Sequence, residues 1–396
     1  MRIVTLSTYP IDTPLHGGQH RLLNIVDRYR AAGHQVASVG VLGSMNYAAS
    51  PGFIGYPPTE ELERCIARLG LMDDWAIGEL MAQDDRFFGA LAEQVPVGVD
   101  LVHVEQPWLF RFAQRYVAER GTGATHIVYG GQNIEHALKR RIVSEYMGTG
   151  HADECAKLVL ECELAALRGA DLICAVSRED ADWMQAHATG EIVLAGNGVR
   201  AQKVDHVSIV QANEITGHRR FALYSASAHP PNIIGFYDMF GRGVGCFAPD
   251  ERIVVAGNAG PSIQGDQKFI RTPGLEKHFI AAGEVSTACL TGLLETSHLV
   301  VLPITQGSGT NLKTAEALWL GHHIVATPVA MRGFEQFANS TGVSVREDPV
   351  EFREAIREAM AQPACALSHD ERDARRVVLW EQTLRSLVDS VNSLAE

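Results

Sequence analysis

The chain lacks the features that mark several protein classes. Its 34 lysines and arginines are outnumbered by 47 aspartates and glutamates, which gives a formal net charge of −13. Because binding a phosphate backbone needs a basic field, this balance argues against nucleic acid as the main partner and disfavours a strongly basic membrane-docking face. The sequence has no apolar run of about 18 residues, the length of a membrane span, and its start lacks the apolar core of a signal peptide. We expect a cytoplasmic protein, either free or peripheral at the inner face of the membrane.

Cysteine is present without any recognisable pattern. The seven cysteines are odd in number and scattered, and no two of them form a CxxC pair. This predicts neither a disulfide framework nor a zinc site. No metal-binding pair of aspartates stands out, so we expect neither a metal nor a cofactor. Internal repeats and low-complexity tracts are also missing.

The length and the order of apolar segments predict two α/β domains. A chain of 396 residues is long enough for two domains, and a hydrophobic content of 46% can fill two cores. Short apolar strands alternate with helical segments, which is typical of a parallel sheet covered on both faces. The predicted strands are 2–7, 35–41, 101–105, 127–130, 172–176 and 192–194, and then 220–225, 252–256, 278–281, 299–302 and 323–326. A polar stretch, 197–217, is predicted to separate the two sheets as an irregular segment.

A glycine-rich turn in the second half is the most informative motif. Gly307, Ser308, Gly309 and Thr310 lie between an apolar strand and a predicted helix that carries Lys313 and Glu316. Glycines let the backbone approach a ligand, and the free N–H groups of a helix start favour an anion. Two residues three apart share a helix face, so one could contact phosphate and the other a sugar hydroxyl. Such turns also occur in α/β proteins that bind no phosphate, so the turn alone leaves nucleotide binding open.

The longer pattern PxxxGSGTxxKxxEAxxxGxxxVAT resembles the donor-site signature of GT-B glycosyltransferases. It is close to the family-4 type, the glycosyl transferases of group 1, in a GSGTxxKxxE subgroup. The resemblance implies two Rossmann-like, doubly wound parallel-sheet domains facing a central cleft. It assigns 1–198 to an acceptor domain that a C-terminal helix of about 377–394 completes, and 199–376 to the donor domain. The segment of about 44–92 is interpreted as an insertion in the first domain that sets acceptor specificity.

The resemblance also implies a donor site in the second domain. Glu316 would bind ribose hydroxyls, and main-chain groups of Gly283, Glu284 and Val285 would hold the base. The remaining donor-binding residues lie at strand ends and in the glycine turn: Ser225, Asn232, Gly257, Gly307, Ser308, Gly309, Thr310, Asn311 and Lys313. Many members have a glutamate where Ser308 stands, so the identity of the donor sugar is left open.

In the first domain, ligand-contacting residues are expected at two glycines and at the end of one strand. Gly17 and Gly18 would contact a phosphate or sugar, although they could equally serve only the start of the first helix. Ligand groups gather at the carboxyl ends of parallel strands. On that basis and by resemblance, the predicted catalytic residues are Gln132, Asn133, Glu135, His136 and Glu316.

The residue at that strand end departs from the family. Related enzymes often carry a histidine there, whereas this chain has Gln132, which forms hydrogen bonds but does not titrate. Any acid–base role would therefore fall to Glu135 or His136. An alternative interpretation makes Asn133 the cap of the following helix. Two polar residues on the preceding strand, His103 and Glu105, could lie at the mouth of the cleft or in the core.

The implied activity is transfer of a sugar from a nucleotide-diphosphate sugar to a hydroxyl group. The acceptor would be a glycan, a lipid-linked glycan or a small molecule, and the transfer would retain configuration without a metal. Two alternatives remain open. One is a sugar-nucleotide 2-epimerase of the same fold, which needs no acceptor. The other is a nucleotide-sugar-binding protein without transfer activity, which Ser308 and Gln132 would fit.

Overall fold

The computed structural model describes residues 1–66, 69–201, 204–241, 243, 245–272, 274–306 and 310–395. The chain forms two compact units. The first comprises Met1–Gly196 and Thr383–Glu396, and the second comprises Asn197–Gln382. No helix in the described part of the chain has the length and apolar character that crossing a bilayer requires.

The first unit is built on a seven-stranded parallel sheet. Its strands are β1 (Arg2–Ser7), β2 (Gln35–Val41), β3 (Phe53–Ile54), β4 (Leu101–Glu105), β5 (His126–Gly130), β6 (Leu172–Ala175) and β7 (Glu191–Leu194). They lie in the order β3-β2-β1-β4-β5-β6-β7. The order reverses between β1 and β4, which pair directly, with Ile3 opposite Leu101. Such a topological switch point is where open α/β sheets bind ligands, beyond the carboxyl ends of the strands.

Helices cover this first sheet. They are α1 (Gly17–Ala31), α2 (Thr59–Ile66), α3 (Asp73–Gln83), α4 (Asp85–Ala92), α5 (Phe110–Arg120), α6 (Glu135–Met147), α7 (Thr149–Gly169) and α8 (Arg178–Gln185). The segment 44–92 supplies β3 and three of the helices. Its residues Ile77, Met81 and Phe88 are buried in one core cluster with Val4 and Val104 of the central strands. The segment is therefore a built-in part of the unit.

The second unit contains a six-stranded parallel sheet. Its strands are β8 (Phe221–Ser225), β9 (Arg252–Ala256), β10 (Phe279–Gly283), β11 (Leu299–Leu302), β12 (His323–Ala326) and β13 (Val343–Val345). The order is β10-β9-β8-β11-β12-β13, with Leu299 of β11 opposite Ala222 of β8. The switch point of this sheet thus lies between β8 and β11, and ligands are expected at the carboxyl ends of these two strands.

The second unit has ten α-helices in its described part. They are α9 (His206–Thr216), α10 (Pro230–Phe240), α11 (Ala259–Gln264), α12 (Gln267–Ile270), α13 (Leu275–His278), α14 (Thr287–Thr296), α15 (Leu312–Leu320), α16 (Pro349–Ala361), α17 (His369–Arg375) and α18 (Trp380–Thr383). The prediction of an irregular segment over 197–217 was wrong in its second half, which forms α9. Asp205 caps this helix by accepting the Ser208 N–H at 2.8 Å, and Gly217 ends it with φ +59°. The polar residues that suggested a linker therefore lie at the two ends of this helix.

The C-terminal segment is more broken than the single helix predicted for about 377–394. A 3-10 turn (Arg376–Val378) precedes α18, and α19 (Arg385–Ser393) follows it. Val378 and Leu379 pack in a core cluster of the second unit. The α19 helix lies against β7 of the first unit, where Ser390 Oγ donates to Glu191 Oε1 at 3.2 Å. The second compact unit spans 197–382, compared with the 199–376 that the resemblance implies for the donor domain.

Candidate active site

In the second unit, two polar side chains meet where the switch-point strands end. Asn232 lies on α10, which follows β8, and Lys313 lies on α15, which follows β11. Lys313 Nζ donates to Asn232 Oδ1 at 3.0 Å and lies 5.8 Å from the ring centre of Tyr224. Asn232 is held in turn by Ser227, whose carbonyl oxygen accepts from Asn232 Nδ2 at 3.0 Å. The lysine is therefore positioned by both helices at the place where a ligand is expected.

Lys313 and Glu316 share the first turns of α15 and perturb each other. Burial lowers the pKa of Lys313 to about 8, against the opposing effect of the Glu316 charge. Burial likewise raises the pKa of Glu316 to about 7, against the effect of Lys313. Burial thus favours the neutral form of both groups, and the attraction between their charges opposes it. Perturbed pairs of this kind are typical of ligand sites.

The residues just before α15 complete this region. Asn311 caps the helix by accepting the Lys313 N–H at 3.1 Å, and Thr310 accepts a hydrogen bond from Asn197 Nδ2 at 3.2 Å. The hydroxyl of Thr310 is buried and has no hydrogen-bond partner in the described part of the protein. A buried polar group without a partner is uncommon and fits a position that a ligand completes. The other members of the predicted turn, Gly307, Ser308 and Gly309, lie outside the described residues.

Two glycines shape the neighbouring strand ends β9 and β10. Gly257 has φ +95° and Gly283 has φ +66°, and the Gly257 N–H donates to the Gly283 carbonyl at 2.6 Å. A Cβ at Gly257 would lie 2.3 Å from the carbonyl oxygen of Ala226, so only glycine fits there. Ser225, the last residue of β8, is paired with Ala256 of β9. These turns bring main-chain groups to the edge of the sheet.

The predicted base-binding residues follow β10 directly. Glu284 is exposed, Val285 is partly buried, and Ser286 begins α14 by accepting the Cys289 N–H at 3.1 Å. Beyond Gly283 the chain therefore passes through two residues before it enters a capped helix. Their backbone groups remain at the carboxyl edge of the sheet.

In the first unit, Gln132 lies at the end of β5 in a hydrogen-bond network. Its Nε2 donates to Tyr9 Oη at 2.5 Å and to Glu105 Oε1 at 2.8 Å. Glu105 also contacts Arg21 Nε at 3.2 Å and His103 Nε2 at 2.9 Å. Burial opposes ionisation of Glu105, but the hydrogen bond from His103 and the charge of Arg21 outweigh it and lower the pKa. The two polar residues of β4 are thus both part of the core, and Glu105 links His103 to Gln132.

Gly18 lies in front of this network. A Cβ at Gly18 would be 3.0 Å from Gln132 Oε1 and 3.2 Å from Tyr9 Oη. Gly17 is the first residue of α1, and the loop before it is closed by Gln19, which donates to the Pro10 carbonyl at 2.8 Å. The glycines therefore begin the helix, and Gly18 also leaves space beside the polar groups.

A pocket of about 190 Å³ opens at the switch point of the first sheet. It is lined by Thr8, Tyr9, His16, Gly43, Tyr47, Asp74, Gln106 and Gln132. Most of these side chains are polar or aromatic. Such a lining suits a ligand with hydroxyl groups and apolar ring faces.

Glu135 and His136 occupy the first turn of α6, and Glu163 of α7 holds them. One carboxylate oxygen of Glu163 accepts the Glu135 N–H at 2.5 Å, and the other accepts the His136 N–H at 3.0 Å and lies 2.6 Å from His136 Nδ1. The interpretation of Asn133 as the helix cap was wrong, because Glu163 satisfies the free N–H groups. Asn133 Nδ2 instead lies 3.3 Å from Glu135 Oε1.

The Glu135 carboxyl is buried, and this has a consequence for stability. Burial raises the pKa of Glu135 to about 7, and the charge of Glu163 adds to the effect, while hydrogen bonds from Asn133 and Gln106 oppose it. A carboxyl whose pKa is higher in the folded than in the unfolded chain stabilises the fold at low pH. This contribution is lost as pH rises from about 4.5 to about 7.

We therefore expect Glu135→Gln to gain stability relative to the wild type as pH rises. Between pH 5 and pH 8 the difference in unfolding free energy between variant and wild type should shift by about 2–3 kcal/mol in favour of the variant. Urea denaturation at both pH values measures it. The exposed Glu93 provides the control, because Glu93→Gln should show no such shift. Equal shifts for both variants would contradict the buried, raised pKa.

Sequence reasoning did not identify Tyr9, Arg21 or Glu163 as part of these sites. The sequence does contain a pattern that indicates Glu105, because polar residues interrupt the apolar strand LVHVE. Glu163 occupies a buried position of α7 within an otherwise apolar face. Among the described residues, no group of three or more histidine, cysteine, aspartate or glutamate side chains is placed to hold a metal ion.

Comparison with known proteins relates part of the second unit to a family. Residues 244–362, within the second unit, match the family described as Glycosyl transferases group 1. The match places part of the second unit among glycosyltransferases by similarity. This confirms the resemblance inferred from the glycine-turn signature. No curated protein matches the chain by sequence.

Similar structures confirm the predicted GT-B fold. Sucrose-phosphate synthase from Thermosynechococcus elongatus aligns with a TM-score of 0.73 and 16% identity over 100% of this chain and 99% of that chain. The UDP-forming α,α-trehalose-phosphate synthase from Burkholderia xenovorans, in complex with glucose-6-phosphate, has a TM-score of 0.62 and 15% identity over 100% of both chains. Anabaena HepE in complex with UDP-glucose has a TM-score of 0.62 and 14% identity over 99% of this chain and 100% of that chain.

Proposed function

We propose that this protein transfers a sugar from a nucleotide-diphosphate sugar to a hydroxyl group of an acceptor, with retention of configuration and without a metal. The observation that carries the proposal is the arrangement of Lys313, Asn232 and Glu316. These residues lie on the two helices that follow the switch-point strands, and the surrounding sequence matches group 1 glycosyltransferases. A cation and a carboxyl group at this edge of the sheet suit the diphosphate and the ribose of a nucleotide donor.

The second unit would hold the nucleotide. Lys313 would exchange its hydrogen bond with Asn232 for one to a phosphate oxygen, and the buried Thr310 hydroxyl would donate to another. Glu316 would accept hydrogen bonds from ribose hydroxyls, which favour its ionised form. Main-chain groups from Gly283 to Val285 would contact the base.

Lys313 would also assist departure of the diphosphate. As the bond to the sugar breaks, negative charge grows on the leaving oxygen, and a cation already held beside it stabilises that charge. Its pKa of about 8 leaves Lys313 charged at neutral pH. This chemistry requires no metal, so the reaction should persist in the presence of EDTA.

The first unit would bind sugar hydroxyls. Gln132 and Tyr9 line its pocket, and Glu135 and His136 lie in the adjoining first turn of α6. Two groups are candidates for proton transfer with the acceptor. Glu135 has a pKa of about 7, which suits a general base at neutral pH, and His136 is oriented by Glu163.

The test is nucleotide release from a panel of UDP-, GDP-, ADP- and dTDP-sugars, with and without glycans and simple sugars as acceptors. UDP-glucose is the first donor to try, because Anabaena HepE has the same fold and was crystallised with it. We expect release that depends on the acceptor and is unchanged by EDTA. Isomerisation of a donor alone would favour the epimerase, and binding without turnover would favour a protein without transfer activity. Dependence on a metal would overturn that part of the proposal.

Glu316→Ala should weaken donor binding strongly while the fold remains intact. We expect the affinity for the nucleotide-diphosphate sugar to fall about 10- to 100-fold, because hydrogen bonds from ribose to a carboxylate are lost. Calorimetry measures the affinity for the donor, and thermal unfolding shows whether the variant remains folded. The exposed Glu295 of α14 serves as control, and Glu295→Ala should bind donor like the wild type. Unchanged donor binding by the Glu316 variant would remove its assigned role.

A further inference from the structure

The orientation of the Gln132 amide is determined by its neighbours. An amide nitrogen has two protons to donate, and Gln132 Nε2 donates to Tyr9 Oη and to Glu105 Oε1. An ionised carboxylate only accepts hydrogen bonds, so Glu105 must face the nitrogen of this amide. The amide oxygen, Oε1, is therefore turned away from Glu105.

Glu105 itself is held rigidly and cannot reach a ligand. It accepts from His103 Nε2, and His103 Nδ1 in turn lies 2.9 Å from Tyr29 Oη. Arg21 contacts Glu105 from another side and donates to the Ala195 carbonyl at 2.6 Å. The residues Arg21, Tyr29, His103 and Glu105 are each at most 1% exposed. A buried ionic cluster contributes little to stability for its cost in desolvation, which points to a role in orientation.

As a result, the protein presents one hydrogen-bond acceptor and one hydrogen-bond donor to a ligand in the pocket. Gln132 Oε1 is the acceptor, and Tyr9, whose oxygen already accepts from Gln132, retains its own proton to donate. Both groups line the pocket, and Gly18 has no side chain to fill the space beside them. Burial raises the pKa of Tyr9, so its proton is held across the neutral range.

We propose that Tyr9 and Gln132 together bind one sugar hydroxyl, and that Glu105 is the positioning residue that fixes the direction of this hydrogen bonding. A hydroxyl both donates and accepts, so it matches the pair: it donates to Gln132 Oε1 and accepts from Tyr9 Oη. The inference rests on the proposed sugar transfer for the nature of the ligand.

Substitutions at Gln132 test the binding pair. Gln132→Met should lower kcat/KM for sugar transfer about 10- to 100-fold at every pH, because the acceptor is lost. Gln132→Glu should remain active at low pH, where the new carboxyl is protonated and donates to Glu105, and lose activity as it ionises. The wild type should show no loss of activity from ionisation at position 132, because an amide does not titrate. Tyr9→Phe should resemble Gln132→Met, and Tyr116→Phe, a buried tyrosine elsewhere in the unit, is the control.

A double variant tests the positioning role of Glu105. Changing Glu105→Gln alone would leave Arg21 as a buried charge and could prevent folding, so it is combined with Arg21→Met. The two substitutions together should lower kcat/KM in the wild-type background. They should cause no further loss in the Gln132→Met background, because Glu105 acts through Gln132. Additive losses would overturn the positioning role, because they would show an effect independent of Gln132.

The outcomes separate this inference from the proposed function. Affinity for the nucleoside diphosphate alone should be unchanged in all these variants, because their residues lie in the first unit. Turnover by the wild type together with full activity of Gln132→Met would overturn the inference and leave the function standing. Absence of turnover by the wild type with every donor and acceptor would overturn the function, and this inference with it.

Discussion

Lys313→Met is expected to reduce the affinity for a nucleotide-diphosphate sugar about 100-fold or more, because it removes the cation assigned to the diphosphate. The wild-type affinity should fall above about pH 8, where Lys313 of the free protein loses its proton, and the variant should show no such decrease. Calorimetric titration at pH 7 and pH 9 measures both effects. Thermal stability of the variant at pH 7 should equal or exceed that of the wild type, because burial disfavours the lysine charge in the folded chain.

A second lysine of the same unit provides the control. Lys277 is exposed on α13, and Lys277→Met should bind donor with wild-type affinity and the same dependence on pH. Similar losses in both variants would mean that overall charge, and not the position of Lys313, governs binding. Wild-type affinity in the Lys313 variant would refute the assigned diphosphate site.

Gly18→Ala is expected to abolish most of the transfer activity without loss of stability. Its Cβ would lie 3.0 Å from Gln132 Oε1 and 3.2 Å from Tyr9 Oη, in the space assigned to a sugar hydroxyl. Because Gly18 lies within α1 and its φ is not positive, alanine suits its backbone and should favour the helix by up to about 1 kcal/mol. Steady-state kinetics should show a fall of about 100-fold or more in kcat/KM, because the added methyl group occupies the space assigned to the sugar hydroxyl.

The matched control for this substitution is Gly89→Ala. Gly89 lies within α4, and a Cβ added there would meet nothing within 4 Å beyond its own helix backbone and chain neighbours in the described part of the chain. The control should gain a similar stability and keep wild-type activity. Normal activity of Gly18→Ala would show that the glycine serves only the helix start, which is the alternative that the sequence leaves open.

Much of this fold could be predicted because its central strands are apolar and bounded by turns. The predicted bounds of β1, β2, β4, β9, β11 and β12 agree with the structure. The edge strands β3 and β13 were missed, since two and three residues are too few to produce a pattern. Helix α9 was missed because its polar ends resemble a linker.

The candidate site was predictable where it depends on spacing along one helix. Lys313 and Glu316 are one turn apart, so their common face follows from the sequence. The network around Gln132 depends instead on contacts between distant segments, such as Gln132 with Tyr9 and with Glu105. The Glu163 contact with α6 likewise joins two helices and takes the place of a cap by Asn133, the alternative interpretation. No local pattern encodes contacts of this kind.

The departure of Gln132 from the histidine of related enzymes has a physical explanation in this structure. A histidine at this strand end can change its charge, whereas an amide cannot. Here the amide is placed beside an ionised, buried Glu105, and its proposed role is to offer a carbonyl oxygen of fixed direction. Loss of transfer is therefore not required to explain the glutamine.

The most direct test of sugar transfer is proton NMR of the protein with its best donor and acceptor from the panel. We expect a new anomeric signal, joined to the acceptor, with the same anomeric configuration as the donor sugar. Such a signal would establish transfer and retention together. An inverted configuration would contradict the retaining reaction, and a donor converted to its epimer, with no signal joined to the acceptor, would contradict the transferase itself.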